Sequence, residues 1–174
     1  MIELFRRAGA HAARTAFRAP AGETSYADLL ARSATVARAL LGGRMDLDEE
    51  RIAFMLPAGA DYAAVQWGIW RAGAIALALN AGAAGAEIEH MLRTAGVRRV
   101  IVRGEPAAAL AGACSALGVA CEELGSLHGA PDGVAVAPLE PGREVPVPRP
   151  LEQSGFGRLV TVREVAPRGV VGVG

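Results

Sequence analysis

Lysine is absent from all 174 residues: the eighteen cationic side chains are arginines, and eighteen carboxylates balance them. That absence excludes every mechanism that needs an ammonium nucleophile or a lysine clamp on phosphate. The zero net charge removes the long-range field that would draw the chain to nucleic acid or to an anionic membrane. The arginines keep the capacity to bind anions, but their scatter reads as a solvated surface. Cysteine is nearly as scarce. Cys114 and Cys121 stand seven apart with no second pair, so zinc-type spacing is missing. The expectation is two buried structural thiols in a reducing compartment. No run of about 18 uninterrupted apolar residues exists, which leaves no membrane span. Residues 1–7 turn charged before any apolar segment could act as a signal peptide. The expected location is the cytoplasm.

Aromatic residues make up only 5% of a chain that is 52% apolar, with a mean hydropathy of +0.28. Such a chain is globular, and its length suits one ordinary domain. Much of the apolar content is alanine, so each helix buries little area and close backbone approach must supply the packing.

Residues 2–17 carry Ile2, Phe5, Ala8 or Gly9, Ala12 and Ala16 at helical spacing, which predicts a short amphipathic helix. Ala19-Pro20-Ala21-Gly22 breaks it, and the flanking segments Ala16-Phe17-Arg18 and Glu23-Thr24-Ser25 fit a small hairpin. Ser25 precedes Asp28 by three and opens an apolar periodicity that stops at Gly42-Gly43, so a helix signed at both ends is expected there. After an exposed acidic turn at 46–50, the unalternating run Arg51-Ile52-Ala53-Phe54-Met55-Leu56-Pro57 reads as a strand covered on both faces.

The helical period returns at 60–72, where Tyr62, Val65, Ile69 and Trp70 form a broad apolar face and Gly68 permits close approach. A strand at 75–79, a helix at 84–95 with Ile88, Met91 and Leu92 inward, and a strand at 99–102 follow. Pro106 opens a further helix that reaches Leu117, and 119–124 supplies another strand. Crossovers of about a dozen residues bring successive strands back parallel. The expected fold class is therefore α/β: a doubly wound, mainly parallel sheet with helices on both faces. Seven of the ten prolines lie beyond Leu127, so 1–127 reads as the α/β subdomain and 128–174 as a Pro/Gly-rich linker and tail. Within that tail only 158–165 has strand-like content.

Five blocks, taken in order, carry a resemblance. They are Thr24-Ser25-Tyr26-Ala27-Asp28-Leu29-Leu30; Arg51-Ile52-Ala53-Phe54-Met55-Leu56-Pro57; Gln66-Trp67-Gly68-Ile69-Trp70-Arg71-Ala72-Gly73-Ala74; Leu79-Asn80; and Glu87-Ile88-Glu89-His90-Met91-Leu92. Together they resemble the N-terminal subdomain of the AMP-binding acyl-CoA synthetases, the adenylate-forming ligase superfamily. The likeness covers about residues 1–125 and continues more faintly through Val145-Pro146-Val147-Pro148. The Gln-Trp-Gly-Ile-Trp variant is most similar to the branch that activates malonate and related short acids. Ala78 and Ala81 stand where relatives usually place proline.

The resemblance implies an acid–thiol ligase: a carboxylic acid attacks ATP to give an acyl-adenylate and pyrophosphate, and the thiol of coenzyme A then displaces AMP. Charge builds on the departing pyrophosphate, so such enzymes need a Ser/Thr/Gly-rich loop with a lysine, a carboxylate for the ribose, magnesium, and a mobile C-terminal lysine. In the family that loop reads Ser-Gly-Thr-Thr-Gly-x-Pro-Lys-Gly and follows the Pro-rich linker. Here the place holds Gln153-Ser154-Gly155-Phe156-Gly157-Arg158, without the threonines and the lysine. No catalytic, cofactor-binding or metal-ligating residue is therefore assigned, and no cofactor to this chain alone. ATP, magnesium, coenzyme A and a small carboxylic acid are implied only for an intact member. Beyond Leu151 the tail departs from the family, and its Gly/Val/Arg/Pro texture would suit a frameshifted or prematurely ended reading of a GC-rich gene.

The chain reads as a ligase fragment that is inactive alone. The alternative is a non-catalytic binding or assembly module that self-associates through apolar surface. Other candidates reduce to simpler readings. His90, with Glu87 and Glu89 on one helix, lacks a third ligand, and His11 and His128 stand apart from any nucleophile. Tyr62, Trp67 and Trp70 read as core rather than a ligand platform, and Asp61 as compensation of its helix dipole. After Leu56 the chain gives Pro57-Ala58-Gly59-Ala60, which is no dinucleotide-binding glycine fingerprint.

Overall fold

A computed structural model describes residues 3–127. The first helix, α1 (Glu3–Ala10), is shorter than its periodicity suggested, because the chain turns at 11–13, where Ala12 was expected to continue it, and strand β1 (Thr15–Ala19) takes Ala16. β1 pairs antiparallel with β2 (Gly22–Ser25), with Phe17 opposite Thr24 and Arg18 opposite Glu23. Cross-strand pairing thus overrides a weak alanine periodicity. Phe17 and Ala16 pack against a small cluster of Phe5, Ala8, Leu29, Ala64 and Trp67.

Helix α2 (Tyr26–Leu41) starts on a reciprocal capping box. The Asp28 N–H donates to Ser25 Oγ at 3.1 Å, and the Ser25 N–H donates to Asp28 Oδ2 at 3.1 Å. The Ser25 hydroxyl, which donates to Asp28 Oδ2 at 2.7 Å, and then the Ser25 N–H hold the Asp28 carboxyl below the usual carboxylate range. The helix stops at Gly42 in the left-handed conformation, whose N–H reaches Arg38 O at 3.2 Å.

Four strands make the parallel sheet: β3 (Arg51–Met55), β4 (Ile75–Ala78), β5 (Arg99–Val102) and β6 (Ala120–Glu123), in the order β4-β3-β5-β6. Helices α3 (Ala60–Arg71), α4 (Gly85–Ala95) and α5 (Ala108–Leu117) are the crossovers, and a short α6 (Leu124–Leu127) follows β6. The strand run without alternation has its explanation in the two cores. Ile52 and Phe54 join Val36, Leu40, Val65 and Ile69 on one face, and Ala53 joins Ile88, Leu92, Leu110 and Ala113 on the other. Helices α2 and α3 cover the first face, and α4 and α5 the second.

The acidic turn at 46–50 is not wholly exposed. Leu47 is buried, and its N–H donates to Ala72 O at 2.9 Å, so a docked apolar side chain anchors the turn. Nor do all the arginines form a solvated surface. Half-buried Arg99 makes a two-pronged pair with Glu122, at 2.8 and 2.9 Å, and donates to Leu40 O at 3.1 Å. The Glu122 carboxylate pushes the Arg99 pKa up. Arg71 donates to Leu30 O at 3.0 Å and Ser33 Oγ at 3.1 Å and lies 5.7 Å from the centre of the Phe5 ring, while burial pushes its pKa down.

Candidate functional site at the carboxyl edge of the sheet

In a parallel sheet ligands bind beyond the carboxyl ends of the strands, where the strand order reverses. Here the reversal lies between β3 and β5, because α3 leaves β3 for the face of α2 while α4 and α5 cover the other face. The segments that leave these strands, 56–59 and 103–107, bound the candidate site. Its residues follow from local rules. Gly59, with φ at 155°, turns the chain into α3, and no side chain caps that helix.

Asp61 in the first turn of α3 does more than offset a dipole. It accepts from Arg32 Nη1 of α2 at 3.3 Å and forms an ion pair with Arg103 immediately after β5. Both arginines were missed as partners in the sequence, because 29 and 42 residues separate them from Asp61. After β4, Asn80 Oδ1 accepts from Gly82 N–H at 3.0 Å and closes its own turn, and after β5 the Gly104 N–H donates to Glu123 Oε1 at 3.4 Å. Glu105 and Glu123 line a shallow hollow next to Cys121. Thus Arg103, the cation that follows β5, is already engaged by a carboxylate.

The other residues singled out in the sequence occupy different places. His90 is exposed on α4, where its neighbour Glu89 pairs with Arg93 one turn on. His11 is exposed beyond α1. Among the described residues no three of His, Cys, Asp and Glu are grouped so as to hold a metal ion. Trp67 packs edge-on against Phe5 at 5.3 Å and Tyr62 against Phe54 at 4.9 Å, so these rings are core. Trp70 packs partly buried on the cluster around Phe5. Cys114 is buried, but Cys121 is exposed, because β6 is the edge strand among the described residues; the expectation of two buried thiols holds for one of them. His128, the Gln153–Arg158 segment, the strand-like 158–165 and the whole tail lie outside the described residues. The exposed large apolar side chains among the described residues are Leu4 and Met45, on separate segments. No helix among them is long and apolar enough to cross a membrane.

A four-stranded parallel sheet with helices on both faces, entered through a capped helix after a hairpin, defines the class as a doubly wound α/β domain. The sequence model of the AMP-binding enzyme family matches residues 4–150, and the chain belongs to that family. It is 31% identical over 97 residues to the mitochondrial malonate–CoA ligase ACSF3 of Xenopus laevis, a match that takes in 53% of this chain and 17% of that protein. The fold is shared with a benzoate CoA ligase from Burkholderia xenovorans LB400, at a TM-score of 0.65 and 24% identity over 74% of this chain and 27% of that one. It is shared also with apo MatB from Rhodopseudomonas palustris, at a TM-score of 0.63 and 23% identity over 76% and 29%. The chain therefore spans between about a sixth and a third of the relatives' lengths.

Proposed function

We propose that this chain forms one wall of the acyl and adenylate cleft of an ATP-dependent acid–thiol ligase, and that residues 1–174 alone do not activate an acid. The observation that carries the reading is electrostatic. A departing pyrophosphate needs cations and glycine-lined donors fixed in advance where charge develops. No lysine occurs anywhere in the sequence, and at the carboxyl edge Arg103 already faces Asp61. The described residues therefore do not fit a magnesium-bound triphosphate, and no step is routed through one here.

In this reading residues 1–127 act as the N-terminal subdomain and 128–174 as linker and divergent tail, working in the cytoplasm. Further ligase segments supply the phosphate loop, the ribose carboxylate and the lysine. The substrates of the complete ligase are ATP, coenzyme A and a short carboxylic acid of the malonate type. Support for the acid comes from the Gln66-Trp67-Gly68-Ile69-Trp70 block and from the similarity to a malonate–CoA ligase. The test is acid-dependent exchange of labelled pyrophosphate into ATP, with malonate, benzoate and acetate as the acids. Exchange at the level of the protein-free blank is expected, and turnover clearly above it refutes the proposal.

A further inference from the structure

Cys114 and Cys121 are the only cysteines of the chain, and the ligase reading above uses neither. Cys114 lies near the end of α5, 4% exposed, within the core cluster that holds Val100, Leu110 and Ala113. Cys121 lies on β6, the edge strand, opposite Val100. It is exposed and lines the hollow with Val102, Gly104, Glu105, Pro106 and Glu123. The Cys121 thiol donates to Cys114 Sγ at 3.8 Å. One sulfur is open to solvent, and the second waits directly behind it.

We propose that this pair is an oxidative modification site for a small neutral hydroperoxide, in which Cys121 reacts first and Cys114 resolves the product into a disulfide joining α5 to β6. In the first step the Cys121 thiolate attacks one oxygen of hydrogen peroxide. The O–O bond breaks, Cys121 becomes a sulfenic acid, and the departing hydroxide takes up the thiol proton as water. In the second step Cys114 sulfur attacks the sulfenic sulfur, the S–S bond forms, and the S–O bond breaks. The hydroxide that leaves carries off the Cys114 proton as a second water. Two thiols are oxidised, and one peroxide is reduced to two waters.

Three features support that order. Burial pushes the Cys114 thiol up to about 12, so it is a poor first nucleophile, whereas Cys121 has direct access to the hollow. Closing the pair to a covalent bond needs a movement of about 1.8 Å. Among the described residues, the four-residue strand that carries Cys121 is hydrogen-bonded along one side only, to β5, where such a shift is least opposed. The Glu105 and Glu123 carboxylates at the hollow repel an anionic oxidant, such as oxidised glutathione, and leave a neutral peroxide unopposed.

The test treats the full chain with hydrogen peroxide and reads the products by alkylation and peptide mass mapping. Wild type should lose two hydrogens in mass, lose both alkylatable thiols and yield a linked 114–121 peptide within one chain. Cys114→Ser should stop at a sulfenic acid on Cys121 that dimedone traps, and Cys121→Ser should leave Cys114 reduced. Oxidised glutathione at equal concentration should react at least tenfold more slowly than peroxide. Where Cys114→Ser disturbs folding, the wild-type and Cys121→Ser results decide alone. Links between two chains, or peroxide oxidation of Cys114 in Cys121→Ser as fast as that of Cys121 in wild type, overturn the proposal.

Discussion

Replacing Gly68 with alanine adds one methyl group where α2 and α3 touch. A Cβ built there meets Val36 Cγ1 at 2.5 Å, Val36 Cβ at 2.6 Å and Ser33 O at 3.0 Å, whereas ordinary contact begins at 3.4 Å. Rotation about χ1 of Val36 would move its Cγ1 but not its Cβ, and Ser33 O belongs to the helix backbone. The two helices must therefore separate by most of an ångström, opening a face on which Val36 and Ile69 are fully buried. Overpacking of this kind costs about 1–3 kcal/mol, more than the roughly 1 kcal/mol that alanine gains over glycine inside a helix. The expected net loss is up to about 2 kcal/mol, which lowers the urea midpoint by up to about 1 M for a slope near 2 kcal/mol/M. Gly112 in α5 is the internal control, because a Cβ there meets nothing within 4 Å. Gly112→Ala should raise stability by about 0.5–1 kcal/mol. The assay is urea unfolding followed by far-ultraviolet circular dichroism. If both variants shift the midpoint in the same direction, the close approach of α2 and α3 at Gly68 is wrong.

Two further outcomes follow from the ion pairs and the cap. Arg99→Met should cost about 1–3 kcal/mol, because it strands Leu40 O and the Glu122 carboxylate; denaturant unfolding of Arg99→Met, Glu122→Met and the double variant should then show the pair cost to be less than additive. An additive result would mean that the Arg99–Glu122 contact contributes nothing. Asp28→Asn should lower stability near neutral pH, and the gap to wild type should close on acidification: hydrogen bonds from Ser25 depress the folded Asp28 pKa, so its contribution is complete above the unfolded carboxylate value and is lost as pH falls through the folded one. A gap that stays constant from neutral to acid pH in thermal unfolding would remove the capping box as its cause.

Much of the fold was legible because local chemistry marks it. Ser25 with Asp28, Gly42, and the glycines at 73, 96 and 118 punctuate the helices, and the unalternating apolar runs at 52–54 and 100–102 require cover on both faces. The notable misreading of an element was the helix continued to residue 17, where alanines at helical spacing carry little energy and the pairing of Phe17 with Thr24 decides instead. The candidate site was less legible. Asp61 was noticed for its place in a helix, but Arg32 meets it only through the packing of α2 on α3, and Arg103 only through the strand order that sets β5 beside β3.

The sequence by itself determined the alternation of strands and helices, the parallel sheet that such crossovers force, the family, and the absence of lysine, since each depends on residue identity or on neighbours a few positions apart. Tertiary structure alone decided which arginines are buried and paired, that Gly68 lies against Val36, and that one cysteine faces solvent while the other stays in the core. Those outcomes depend on which strand lies at the edge and which helices share a face, and contacts between residues distant in the chain settle both.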